Sequence, residues 1–99
     1  MDFEELRVCG EGEAMSVHEL KTCPREFNAV VSGVKRFEFR RNDRGYRTGD
    51  TLRLCKWDPK REEYFREIIE VRVTYVARGP AFGIPNGFCV MSIRHRGEP

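Results

Sequence analysis

The chain has 99 residues, of which 39% are hydrophobic and 11% aromatic, so it is long enough for one folded domain and too short for two. Its apolar runs are all far shorter than the roughly 20 residues of a membrane span, and its first residues lack the basic-then-apolar order of a secretory signal. The sequence therefore predicts a soluble, cytoplasmic protein that does not bind a membrane.

The net charge of +2 is unevenly distributed along the chain. Residues 1–15 contain five acids and one arginine and carry −4, which leaves +6 on residues 16–99. Because residues 1–15 also show no sustained periodicity, we expect them to form an acidic, mobile tail ahead of a basic domain spanning residues 16–99. A basic domain suits a phosphate-bearing partner, although a mixed solvated surface explains the same charge count.

The cysteines indicate neither a metal centre nor a disulfide framework. Cys9, Cys23, Cys55 and Cys89 are separated by 14, 32 and 34 positions, so the chain has no Cys-x-x-Cys pair of the kind that binds zinc. We expect reduced thiols, with Cys55 and Cys89 inside strands, and neither a metal nor a cofactor.

The predicted elements begin with a short strand over residues 16–21. A helix follows from Pro24, since proline is tolerated at the first helical position, and Gly33 is expected to end it in the left-handed conformation. Residues 35–40 alternate with period two, which predicts a strand with Phe37 and Phe39 on one face and with Glu38 and Arg40 on the opposite, outward face.

Three further strands are predicted in the second half of the chain. They span residues 51–57, 66–78 and 88–94, separated by a polar connection that begins at residues 58–60 and by a loop at 79–87. In the longest of them Ile69, Val71, Val73 and Tyr75 are expected to share one apolar face. The predicted fold class is mainly β (α+β), a small open β-barrel of about five strands with one or two short helices.

A polar trio marks the point where the helix ends and the second strand begins. Glu38 and Arg40 lie two positions apart and hence side by side, and Lys35 precedes them at the junction. One acceptor and two donors suit the recognition of a polar ring edge and a phosphate together. An ion pair on a solvated face explains the same spacing.

The motifs around this trio resemble those of the ASCH domain of the PUA-like superfamily. Gly-x-Lys-x-x-Glu-x-Arg spans residues 33–40, and Arg-Thr-Gly-Asp follows at 47–50 before a strand. The resemblance extends to His-Glu-Leu-Lys at 18–21, Lys-Trp-Asp-Pro at 56–59, Phe-Gly-Ile at 82–84 and Val-Met-Ser-Ile at 90–93. Together these segments are similar to a compact prokaryotic and phage-associated branch of unassigned function, over roughly residues 16–94.

The resemblance implies a PUA-like pseudo-barrel with an RNA-binding cleft beside the helix, lined by Lys35, Glu38 and Arg40. Some ASCH-like proteins are amidohydrolases that deacetylate acetylated cytidine, with a lysine at the position of Lys35 and a threonine nucleophile three residues later. Glu38 stands at that later position and lacks the hydroxyl, although a carboxylate can act as a general base.

Five further residues are candidates for the same site: His18, Lys21, Arg41, Arg44 and Trp57. His18 shares a face with Leu20, which suits a packed histidine as well as a donor that lines a cleft. Lys21 faces the other way if the strand is regular. Trp57 ends a strand, where an aromatic side chain either stacks on a base or belongs to the core.

The leading functional prediction is the binding of RNA, or of a modified nucleoside or nucleotide, in the polar cleft. Two alternatives stay open: a small amidohydrolase acting on a modified nucleobase through Lys35 and Glu38, and an adaptor that contacts a partner polypeptide. Whether the protein has any enzymatic activity is also open, and the sequence favours binding over catalysis.

Overall fold

A computed structural model describes residues 15–96. The acidic tail predicted over residues 1–15 lies, apart from its last residue, outside the described residues. Within them the chain forms five strands and one helix: β1 (Val17–Thr22), α1 (Pro24–Ser32), β2 (Phe37–Arg41), β3 (Thr51–Asp58), β4 (Glu63–Arg78) and β5 (Phe88–His95). Each predicted element is present, with ends shifted by a few residues.

The five strands form one sheet in the order β1-β3-β4-β5-β2. β1 runs parallel to β3, and the other neighbours are antiparallel. The sheet curls so far that side chains of one edge strand, β2, reach the backbone of the other, β1. The protein is therefore mainly β, a curled half-barrel of five strands with one short helix.

The core lies on the concave side of this sheet and is closed by α1. Phe27 and Val30, three positions apart on one helical face, are buried against the sheet. Gly33 ends the helix as predicted, with φ +86, and its N–H donates to the carbonyl of Val30. Strands supply most of the remaining core: Leu20, Leu52, Leu54, Val71, Val73, Val76, Cys89, Met91 and Ile93.

Two predictions about β4 were wrong, and each error has a local cause. The strand begins at Glu63 and not at residue 66, because Tyr64 pairs with Trp57 and the two rings pack edge to face at 4.8 Å. The register with β5 shifts between Val73 and Tyr75. That irregularity turns Tyr75 out to 67% exposure and places Val76 in the core instead.

The two edge strands meet at a seam that is bridged by side chains. Both terminal nitrogens of Arg40, on β2, lie 3.3 Å from the carbonyl oxygen of Lys21 on β1. Arg44, just after β2, donates to the carbonyl of Glu19 at 3.0 Å. Guanidinium groups thus donate to two of the carbonyls that β1 turns away from β3.

The helix of the described region, α1, is too short to cross a membrane.

Candidate functional site: Glu38 between two cations

The faces of β2 are reversed relative to the prediction. The period-two alternation is present, but Glu38 is 2% exposed on the inner side, whereas Phe37 and Phe39 are 48% and 49% exposed on the outer side. Alternation fixes which residues share a face and not which face is inward. The prediction that Glu38 and Arg40 lie on the outward face was therefore wrong. The Arg40 side chain lies on the inner side, where it donates to Thr22 on β1.

Glu38 lies between the side chains of Lys35 and Arg40. Its Oε1 accepts a hydrogen bond from Nε of Arg40 at 2.9 Å. Its Oε2 is 3.6 Å from Nζ of Lys35, too far for a hydrogen bond, and has no hydrogen-bond partner among residues 15–96. A buried oxygen without a donor is uncommon, so Oε2 has an unused capacity to accept an N–H or O–H.

Lys35 is positioned by the end of the helix. Its backbone N–H donates to the carbonyl of Ala29, and its side chain, 14% exposed, extends back along α1 to Glu26. The Lys35 ammonium donates to the Glu26 carboxylate at 2.8 Å, and this bond holds the pKa of Glu26 below its ordinary value. Lys35 therefore links the first turn of α1 to Glu38.

Arg40 is occupied by protein acceptors. Besides Glu38 and the carbonyl of Lys21, it donates to Oγ1 of Thr22 at 3.2 Å. These bonds use most of its five N–H groups, so its main role is to orient Glu38 and to hold β2 against β1. We call Glu26, Lys35, Glu38 and Arg40, together with the Thr22 hydroxyl, the Glu38 cluster. The formal charges of its four ionisable side chains sum to zero, which suits a polar ring edge better than a phosphate.

The structure separates His18 from this cluster. His18 lies on the inner face with Leu20, as predicted, but its Nε2 is 2.9 Å from Oδ2 of Asp50 and its ring packs edge to face against Tyr46. Asp50 also accepts from the backbone N–H of Arg47, so the pair anchors the turn before β3. His18 precedes Thr22 by four strand residues, about 13 Å along β1.

The other predicted site residues lie outside the cluster. The Lys21 side chain points away from His18, as predicted, and its Nζ sits 4.0 Å from the ring centroid of Trp57. Trp57 packs on Tyr64 and is not in the core. Arg44 belongs to the seam, and the guanidinium of Arg41 lies on the outer face, 5.0 Å from the ring centroid of Phe88.

Sequence reasoning missed two members of the cluster, Glu26 and Thr22. Glu26 lies in the first turn of α1, where an acidic side chain is favourable without any further partner, and Thr22 lies just beyond the predicted strand. One sequence signal could have found Glu26: it precedes Lys35 by nine residues, and Gly33 ends the helix between them. A helix followed by a reversal of the chain brings such residues together.

A shallow recess of about 30 Å³, lined by Asp58, Arg61, Glu63, Tyr64 and Phe65, has space for a water or two and not for a nucleobase.

Within residues 15–96, His, Cys, Asp and Glu side chains do not group in threes as metal ligands would. Cys23, Cys55 and Cys89 are free thiols, the last two inside strands as predicted, and burial raises the pKa of Cys55 and Cys89.

Comparison with known proteins identifies the family. Residues 17–93 match the family described as a domain of unknown function, DUF3850, and the chain belongs to that family. A segment of 41 residues is 49% identical to an uncharacterized 12.9 kDa protein in the GpA 3′ region of Escherichia phage P2. That segment is 41% of this chain and 38% of the phage protein, so the match spans little more than a third of the relative's length.

Proposed function

We propose that this protein binds RNA, or a modified nucleoside or nucleotide, at the Glu38 cluster, and that its half-barrel is a PUA-like domain of the ASCH kind. One observation carries the proposal: the buried Oε2 of Glu38 has no hydrogen-bond donor among the described residues although two cations flank the carboxylate. The motif resemblance around residues 33–40 points to the same three side chains.

The chemistry of the free atom favours a nucleobase. Oε2 is an acceptor, so its partner carries an N–H or O–H, and the exocyclic amines of cytosine and adenine supply such an N–H. Oε1 is already held by Arg40, which leaves one acceptor position and orients it. Lys35 has a further donor beside that position, able to meet a ring oxygen or a phosphate of the same nucleotide.

The amidohydrolase alternative gains no support from the cluster. Its expected hydroxyl is absent at Glu38, and the nearby hydroxyl of Thr22 is 3% exposed, lies 3.4 Å from the carbonyl oxygen of Leu20 and accepts from Arg40. A buried hydroxyl engaged on both sides is a poor nucleophile. We therefore propose binding, and expect no efficient release of acetate from acetylcytidine.

The test is calorimetric titration of nucleosides and nucleotides against Glu38→Gln. The amide keeps an oxygen for Arg40 but removes the charged acceptor, so ligand affinity should fall by about 1.5–3 kcal/mol. Glu67→Gln is the matched control, because it makes the same change in an ion pair outside the cluster, where the exposed Glu67 accepts from Lys56, and should leave affinity nearly intact. Thermal melts of both variants separate a binding defect from a folding defect.

The proposal fails if Glu38→Gln, still folded, binds every tested nucleotide as tightly as the parent. Glu38 would then be a buried ion-pair partner and nothing more. Acetate release from acetylcytidine at an enzyme-like rate, lost in Lys35→Ala, would instead establish the hydrolase.

A further inference from the structure

The outward face of β4, β5 and β2 brings aromatic rings and arginines together. The strand register places Arg41 beside Phe88 and Phe37 beside Ser92. In the pairing of β4 with β5, Ser92 lies beside Tyr75 and Arg94 beside Arg72. We name this surface the aromatic–arginine face; its rings and cations are Phe37, Phe39, Tyr75, Phe88, Arg41, Arg72 and Arg94.

The rings of this face are open to solvent in an arrangement that can accept further rings. Phe37 and Phe39 are about half exposed, and Tyr75 is 67% exposed. Phe39 and Phe88 stack on each other with an interplanar angle of 18° and centroids 5.4 Å apart, which extends the ring surface of β2 onto β5. Phe37 and Phe39 are two strand residues apart, about 7 Å, within reach of neighbouring bases of one extended strand.

The charges of this face have a single sign. Its outward positions in the paired stretches of β4, β5 and β2 hold arginines and no carboxylate. Within residues 15–96, Arg41, Arg72 and Arg94 have no ion-pair partner, while Arg41 lies over Phe88. The next carboxylate along β4, Glu70, is already held by Arg53 at 2.8 Å and Arg96 at 3.0 Å.

We propose that the aromatic–arginine face binds single-stranded RNA, with bases stacked on its rings and phosphates paired with its arginines. Stacking on exposed rings needs unpaired bases, which excludes a duplex, and arginines without acidic neighbours complement a polyanion. Lys35 connects this face to the cluster, since its ammonium is 5.2 Å from the Phe37 ring centroid and 3.6 Å from Glu38. The inference rests on the proposed function for the class of ligand.

Fluorescence anisotropy with a short labelled single-stranded RNA tests this surface. Phe37→Ala and Phe39→Ala should each weaken binding roughly 5- to 150-fold, the loss expected for one stacked base. Phe39→Tyr keeps the ring and should retain affinity. Phe82→Ala is the matched control, because Phe82 is 95% exposed and lies outside the face. Arg72→Gln should reduce the salt slope by about one phosphate contact.

Three results would overturn the inference. One is an unchanged affinity in the folded Phe37→Ala and Phe39→Ala variants. Another is equal affinity for a duplex of the same sequence. The third is a parent dimer without RNA affinity that Phe39→Ala converts to a monomer, which would make the face an interface between copies.

Mononucleotides separate this inference from the proposed function. They are too short to span the face, so Phe39→Ala and Arg72→Gln should bind them as the parent does, while Glu38→Gln binds them more weakly. If the face variants lose RNA but Glu38→Gln changes nothing, the cluster proposal fails alone. If Glu38→Gln loses mononucleotides but the face variants keep RNA, the face inference fails alone.

Discussion

β3 and β2 belong to the same sheet but divide their side chains in opposite ways. In β3 the leucines at 52 and 54 are fully buried, and Arg53 faces outward between Glu19 and Glu70. In β2 the carboxylate of Glu38 is buried and two phenyl rings are half exposed. Apolar burial sets the orientation of β3, whereas β2 is oriented by the contacts of its charged residues with α1 and β1.

The reversal of β2 is unfavourable for stability in isolation. A buried leucine contributes about 1.5–3 kcal/mol, while a buried carboxylate loses hydration that its partners must replace. Lys35 and Arg40 replace much of it, yet one oxygen is left without a hydrogen bond. A strand that buries charge and exposes aromatic rings is organised for contacts other than those of its own core, which is why both proposals concern β2.

The largest expected effect lies in the ordinary strand. Leu54→Ala removes a fully buried side chain, and the loss of burial together with the cavity should lower the free energy of unfolding by about 2–5 kcal/mol. Urea denaturation measures this value. A loss below about 1 kcal/mol would mean that burial of Leu54 contributes little to stability, and that β3 does not differ from β2 in this respect.

Arg40→Ala should be the next largest change, with an effect that depends on Glu38. Removal of the guanidinium leaves a buried carboxylate with only Lys35 nearby, so we expect a loss of about 2–3 kcal/mol, below a fully buried pair because Arg40 is partly exposed. In a Glu38→Gln background the same change should be milder. Equal losses in both backgrounds would show that Arg40 acts through the seam and not through Glu38.

Phe39→Ala should change folding far less than Leu54→Ala does. Its ring is half exposed and stacks on Phe88, which is worth about 0.5–1.5 kcal/mol beyond its buried area. The same urea series measures it. A loss as large as that of Leu54→Ala would place Phe39 in a second core and remove the contrast between the two strands.

The smallest effect concerns the ion pairs on the outer side of β3 and β4. Arg53 and Arg96 hold the pKa of Glu70 below its ordinary value of 4.5. A carboxyl with a lowered pKa stabilises the fold at pH above its ordinary range, and the contribution is lost as pH falls through the lowered pKa. Glu70→Gln should therefore melt slightly below the parent at neutral pH.

A pH series of thermal melts checks this sign. The difference between Glu70→Gln and the parent should shrink with acidification and vanish once Glu70 is protonated. A difference that grows towards low pH would contradict the ion-pair account. Glu26→Gln is a useful companion, since Lys35 lowers the pKa of Glu26 in the same direction.

The order of elements was predictable because its signals are local. Pro24 and Gly33 bracket the helix, and period-two alternation marks the strands. The trio at residues 35–40 was expected from its spacing together with the motif resemblance. Its burial was not, because the inward face of β2 depends on Arg40 reaching a strand nineteen positions away. The outward turn of Tyr75 depends on a register shift against β5, which one-strand periodicity does not show.

The arginine-bridged seam between β1 and β2 also bears on how copies of this protein behave at high concentration. An edge strand with free carbonyls is a template on which another chain can add a strand. Arg40 and Arg44 cover the carbonyls of Lys21 and Glu19 on that edge. The same guanidinium groups that close the half-barrel therefore protect it from edge-to-edge aggregation, and a protein that loses both should become less soluble even where it still folds.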